Sequence, residues 1–281
     1  MHERRKGILL IAGAALLWSS GGIGIKAIAD PALKVTFYRS LFAAVALLLF
    51  LRRAQWRRTA SFAVAVICYA ACLTTFVVAT KWTTAANAIF LQYAGVVWVL
   101  LLSPVVLHEP MRGRDAAAVA VALGGMALFF VGRFEARGMA GNAMALLSSV
   151  FFALLILSLR REQQGAQAAV TWGNLACAAS MLPFVAGDLS LTPKSFAVLA
   201  FLGVFQIAVA YVLFVRGLAH VTATQASLTG MLEPVANPIW VFLILGERPS
   251  AYAVAGAAVV LAAIAWHTMA GEATADLPAP D

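Results

Sequence analysis

Charge is scarce in this chain. Of its 281 residues only 11% are Asp, Glu, Lys or Arg, against 63% apolar ones. A soluble domain of that length must cover itself with polar side chains, and this sequence does not hold enough of them. Cysteine is nearly absent. Cys68, Cys72 and Cys177 all fall inside apolar runs, so no disulfide framework is implied and they read as small buried side chains. The four histidines, His2, His108, His220 and His267, stand at the ends of runs without metal-ligand spacing. Nothing resembles a glycine-rich phosphate loop, a Walker sequence or a nucleophile elbow. Nothing points to ATP as an energy source, and no cofactor or metal is implied.

What is present is a succession of ten apolar runs, at about 7–28, 34–51, 60–80, 84–103, 115–132, 139–159, 168–186, 195–216, 221–245 and 250–270, in a chain of mean hydropathy +0.90. At roughly 17–25 residues each, they match the length a helix needs to cross a ~30 Å hydrocarbon core. Lipid offers backbone amides no partners, so runs of that length should be helices. An all-α membrane protein with ten transmembrane helices is expected. The opening Arg4-Arg5-Lys6 is reminiscent of a signal peptide, but the run behind it is too long and no cleavage site follows, so it is read as the first helix. Residues 1–6 form a short cytoplasmic lead, and the polar, Pro-containing tail 271–281 reads as disordered.

The basic residues orient the bundle. With the N-terminus inside, twelve (Arg4, Arg5, Lys6, Arg52, Arg53, Arg57, Arg58, Arg112, Arg114, Arg160, Arg161, Arg216) fall on inside-facing segments. Six (Lys34, Lys81, Arg133, Arg137, Lys194, Arg248) fall outside. The positive-inside bias therefore places both termini in the cytoplasm. These charges are loop anchors rather than one continuous patch, which excludes nucleic acid as a partner.

The second half of the chain echoes the first. Gly7 falls on Gly141, Trp18 on Phe152, Lys26 on Arg160, and Thr36-Phe37 on Thr171-Trp172. Leu107-His108-Glu109-Pro110 falls on Leu245-Gly246-Glu247-Arg248-Pro249, so the offset drifts only from 134 to 138 residues. Each repeat, 7–132 and 139–270, holds five spans. An odd number turns the second repeat upside down in the membrane, a recurrent plan of secondary transporters with the substrate site near the midplane.

The Gly7–Trp18 spacing in the first run, Arg39 a few residues into the second, and the L-x-E endings at Leu107-His108-Glu109 and Leu245-Gly246-Glu247 carry a resemblance. Over residues 7–270 the chain resembles the drug/metabolite transporter superfamily, specifically its ten-helix EamA-type branch. Gln92-Tyr93 and the aromatic content are similar to the aromatic amino-acid exporters. The resemblance implies efflux across the inner membrane, cytoplasmic termini, and a central cavity lined by helices one to four and six to nine. It also implies that helices five and ten are peripheral supports. Their residues agree, with Gly124-Gly125 and Gly256 among small apolar neighbours, the composition that lets helices approach closely in lipid.

Several residues are candidates for substrate contact. On the ninth run Thr222, Gln225, Thr229, Glu233 and Asn237 fall within an arc of about 120°, a stripe that should face protein or a water-filled cavity. Glu233 lies mid-membrane, where an ionised group costs about 2.5–3.5 kcal/mol or more. It handles substrate or protons, or it is a protonated packing residue. Pro234 and Pro238 should bend the helix beside it. Arg39 can meet a substrate carboxylate or Glu233, or snorkel to the interface. Lys26 reads as an interfacial anchor. Trp18 and Tyr93 are placed as cavity walls for an apolar or aromatic ligand. Tyr38, Trp98 and Trp172 join them as candidates, with core packing an open alternative for Trp98, Trp172, Phe205 and Tyr211. Gln92 and Gln206 contact substrate or cross-link helices. Glu109 and Glu247 are assigned helix-start or loop-closing roles.

Together these readings describe a secondary exporter of amino acids, aromatic and other neutral ones foremost, or of related metabolites, working by alternating access. Its partners are a small-molecule substrate and membrane lipid, and a monomer is left open. Other exporters of the superfamily, handling drugs or other metabolites, are the first alternative. A membrane-embedded transferase is the second, disfavoured because the spans hold no cluster of His or carboxylates.

Overall fold

The computed structural model describes residues 2–51, 55–128, 131, 138–245 and 250–275. Arg52, Arg53, Arg133, Arg137, Glu247, Arg248, the end of the fifth run and the tail from 276 lie outside the described residues. Among the described residues all regular structure is helical and no strand occurs. In chain order the helices are α1 (His2–Trp18), α2 (Gly21–Lys26), α3 (Ala32–Leu51), α4 (Ala60–Trp82), α5 (Ala85–Gln92), α6 (Gly95–Val106) and α7 (Gly113–Leu128). They continue with α8 (Met139–Glu162), α9 (Ala166–Val185), α10 (Pro193–Phe201), α11 (Ala210–Leu218), α12 (Ala223–Gly230), α13 (Leu232–Leu245) and α14 (Ala251–Ala275). Seven described stretches are long and apolar enough to cross a membrane. One of them, Met139–Val185, contains both α8 and α9, turned by the 3-10 segment Gln163–Gly165.

The helix starts follow from local sequence. Thr59, Thr84, Thr192 and Thr222 each accept the backbone N–H three residues on, and Pro193 takes the first helical position after Thr192. Thr84 and Thr222 are 222 − 84 = 138 residues apart, the offset seen late in the sequence repeat.

Polarity is inverted relative to a soluble protein. Leu9, Leu49, Val105, Phe184 and Leu243 are each more than 60% exposed, whereas Arg39, Gln92, Asn174, Gln206 and Glu233 are buried. An apolar exterior around a polar interior suits lipid as the solvent.

The halves exchange partners. α1 packs on α11, α4 on α8, α3 on α9, and α7 on α14. Glycine permits two of the closest approaches. A Cβ on Gly7 would lie 2.9 Å from the Gly217 carbonyl and 2.8 Å from His220 Cβ; one on Gly141 would lie 2.7 Å from the backbone of Trp82 and Thr83. Each glycine lies in the first two turns of the first helix of one half and abuts the end of the third span of the other. α7 and α14 touch through Gly125, which sits on the Gly256 carbonyl, while Gly124 faces open space. Gly7→Ala and Gly141→Ala should therefore each destabilise the detergent-solubilised protein by about 1–3 kcal/mol through overpacking. Gly124→Ala should leave the melting temperature unchanged or slightly raised. Equal behaviour of the three variants in a thermal melt would refute this packing.

Candidate functional site

Four of the apolar runs are irregular in their interiors among the described residues, and two of these irregularities have a side-chain cause. At the α1–α2 junction, Ser19 and Ser20 turn their hydroxyls back onto the Leu16 and Leu17 carbonyls, competing with the helical ladder. The carbonyls released there are taken by other helices. Asn237 Nδ2 donates to Ser19 O at 3.0 Å and Gln206 Nε2 to Trp18 O at 3.4 Å, while Trp240 Nε1 donates to Ser19 Oγ at 2.6 Å.

The ninth run breaks at Met231, upstream of the prolines. Pro234 has no N–H, so the Gly230 carbonyl loses its helical donor. The Tyr93 hydroxyl supplies the replacement at 2.6 Å. Tyr93 itself marks the α5–α6 break, and 231 − 93 is again 138. The eighth run carries a π-helical segment, Leu202–Val209, with Gln206 inside it. Gly203 lets that segment approach the Arg39 carbonyl of α3, where a Cβ would lie 2.8 Å away. Widened turns of this kind often accompany functional sites.

The four irregularities surround one buried cavity, lined by Trp18, Arg39, Gln92, Phe152, Gln206, Tyr211 and Glu233, with Cys72, Leu73, Phe76 and Ile207. Its aromatic wall is a connected set: Trp18 lies 5.0 Å from Phe214, 5.1 Å from Tyr211 and 6.1 Å, edge to face, from Phe152. Trp18 and Phe152 are the pair that the sequence repeat aligns.

The polar wall is arranged around Arg39. Its Nη2 donates to Gln206 Oε1 at 2.7 Å, while Nε and Nη1 are buried without a partner. Gln92 is fixed by donating to Ser148 Oγ at 2.8 Å. Glu233 Oε2 lies 2.9 Å from Tyr93 Oη, which is also bonded to Gly230 O. A phenol has one proton, so both bonds are made fully only when Glu233 brings a proton of its own. Arg39 and Glu233 line the same cavity, and no ion pair joins them. The free space is about 40 Å³, room for about three waters. An aromatic solute fits only after rings of the wall move.

Two regions of this chain, residues 5–131 and 139–269, match the EamA-like transporter family. The chain belongs to that family. The transporter is also 25% identical to an uncharacterized transporter of Archaeoglobus fulgidus over 267 residues, covering 94% of this chain and 97% of the relative. A solved crystal structure at 15% identity covers 95% of this chain and 98% of its own with a TM-score of 0.81, a likeness that speaks to the fold alone. The chain is thus a multi-pass membrane transporter of small molecules, not an enzyme.

Of the transporter's candidate residues, Trp18, Arg39, Gln92, Gln206 and Glu233 come together at the cavity, and Arg39 is buried rather than snorkelling. The others stand elsewhere. Tyr93 is behind Glu233, and Asn237 is occupied by the α1–α2 break. Thr229 bonds the Gln225 carbonyl of its own helix. Trp98 is 42% exposed on the outside of the bundle. Trp172 packs edge-on against Trp56 at 5.4 Å. Tyr38 donates to the Leu189 carbonyl in the α9–α10 connection. Cys72, Phe76 and Phe152 were missed as cavity residues; the alignment of Phe152 with Trp18 was the available signal.

Charged groups close the ends of the bundle. Lys34 Nζ donates to Asp188 Oδ2 at 2.8 Å and holds that carboxyl well below the usual carboxylate range. This pair is intact above the depressed value and is lost only as strong acid protonates Asp188. At the opposite end Glu109 accepts from Arg160 Nε at 2.9 Å and, through its other oxygen, from Ala223 N at 2.9 Å. It therefore caps α12, a helix of the other half. Lys26 donates to the Thr83 carbonyl.

Proposed function

We propose that this transporter exports amino acids, aromatic and other neutral ones, across the bacterial inner membrane by alternating access. In this reading ten spans form two inverted five-helix repeats, 7–132 and 139–270, with both termini cytoplasmic. The twofold family match, the recurring 138-residue offset of caps and breaks, and the reciprocal glycine contacts support it.

The observation that carries the substrate class is Arg39. It is 2% exposed, and two of its guanidinium nitrogens lack partners in the cavity that Glu233 also lines. A buried charge left under-paired is costly, and an α-carboxylate supplies an acceptor of the opposite charge. Glu233, once deprotonated, suits the α-ammonium group. The rings of Trp18, Phe152 and Tyr211 suit an apolar side chain. The small free volume favours a second reading, in which the solute is a smaller carboxylate-bearing metabolite.

Purified protein in liposomes should take up tryptophan or phenylalanine. Tryptamine, which lacks the carboxylate, should be carried at least about 30-fold less efficiently, as expected when a buried charge loses its partner. Uptake of small carboxylates alone would favour the second reading. Uptake of tryptamine or cationic dyes, with no amino acid moved, would overturn both.

A further inference from the structure

A second cavity, of about 180 Å³, shares no lining residue with the first. It lies at the end of the bundle where the start of α1, the α6–α7 connection, the start of α12 and the last turns of α14 meet. Arg4, Arg112 and Arg114 contribute three cations to its wall. Its two carboxylates are already engaged: Glu109 by Arg160 and the α12 backbone, and Asp115 by Arg114 Nε at 3.8 Å, His267 Nε2 at 2.8 Å and Arg112 N at 3.0 Å, which leaves four cations, Arg160 included, against two carboxylates. The wall is therefore electropositive toward any further ligand. The decisive group is Gln225, which is 4% exposed and lines the cavity. Its Oε1 accepts from Arg4 Nε at 3.0 Å, which fixes the amide orientation and leaves the Nε2 donor buried with no partner. A buried amide donor beside an excess of guanidinium groups asks for an acceptor that is also an anion.

The surroundings define the kind of anion. Trp266, adjacent to His267, is 46% exposed, the position of an interfacial tryptophan. Next to the cavity, Leu101 and Val105 on α6 and Met111 after it present exposed apolar surface. A basic pocket between helices at headgroup height, flanked by surface for acyl chains, is the arrangement that recognises anionic lipid. We propose that this cavity is a phosphate-binding site, occupied in the membrane by the phosphate of an anionic phospholipid headgroup. The site is separate from the substrate cavity and does not depend on which solute is carried.

Delipidated protein in neutral detergent can be melted with phosphatidylglycerol, with phosphatidylcholine and with inorganic phosphate. Phosphatidylglycerol should raise the melting temperature by about 3 °C or more, and phosphatidylcholine should not. A shift reproduced by inorganic phosphate alone would support the same chemistry with a free anion as its source. Gln225→Glu keeps the bond to Arg4 and reverses the demand for an anion, so it should abolish the shift. Arg112→Gln changes an exposed side chain, tolerates folding, and should at least halve it. Equal shifts with both lipids, no shift with either phosphatidylglycerol or phosphate, or a full shift in Arg112→Gln would overturn the proposal.

Discussion

Arg39→Gln should cut tryptophan transport about 30-fold or more without loosening the fold. The glutamine is shorter than arginine and offers no charge and no guanidinium donors to a substrate carboxylate. Losing the partner of a buried charge costs about 2–5 kcal/mol. Arg39→Lys keeps the charge but not the planar donors and should fall between the two. The stability readout points the other way. Arg39 has two buried nitrogens without acceptors, so replacing it with a neutral side chain should leave the melting temperature unchanged or raise it. An Arg39→Gln protein that carries tryptophan with wild-type KM would remove the basis of the substrate assignment. One that cannot be purified folded would show that the guanidinium is structural.

Glu233→Gln should reduce flux sharply while the melting temperature holds. The substituted side chain still fills the space and still reaches Tyr93, because a neutral amide mimics a protonated carboxyl in both respects. What the substitution removes is the ability to lose the proton, and with it a negative charge facing the cavity. Glu233→Ala deletes the side chain as well and should lower the melting temperature, at a cost of order 2–5 kcal/mol for a large-to-small change in a packed site. Flux should be measured across pH 5–8, since a group that cycles its proton imposes a pH dependence that the glutamine variant loses. Wild-type flux in Glu233→Gln over that whole range would reduce the carboxyl to packing.

The helical class and most run positions were legible because lipid-spanning helices are encoded by composition and length, which local sequence states directly. Glu233, Trp18, Gln92 and Gln206 were legible as polar or aromatic groups set deep in apolar runs, whereas Arg39, a few residues into its run, was left between substrate contact and the interface. What local pattern could not convey was helical phase beyond a break. Asn237 was placed by extrapolating a 100° period along a run that is interrupted at Met231. The ninth run was expected to bend at its prolines. It breaks upstream because the consequence of a proline falls on the carbonyl four residues earlier. Cys72 and Phe76 belong to a helix without polar stripe or motif, and only its packing against α8 brings them to the cavity. The end-closing role expected of Glu109 is seen, but the helix it closes is in the other half, a partnership that sequence neighbours do not reveal.

That cross-repeat cap belongs to a wider reciprocity with a consequence for biogenesis. The first half furnishes Tyr93 to the Gly230 carbonyl and Glu109 to the start of α12; the second furnishes Asn237 to the Ser19 carbonyl. Neither half is self-sufficient. As the chain leaves the ribosome, α1 and α2 enter the membrane with a junction whose Trp18 carbonyl waits for Gln206 and whose Ser19 carbonyl waits for Asn237 of α13, about two hundred residues later. Until the last spans are inserted, the first five helices remain an unfinished assembly, held open for a strand of chain not yet made.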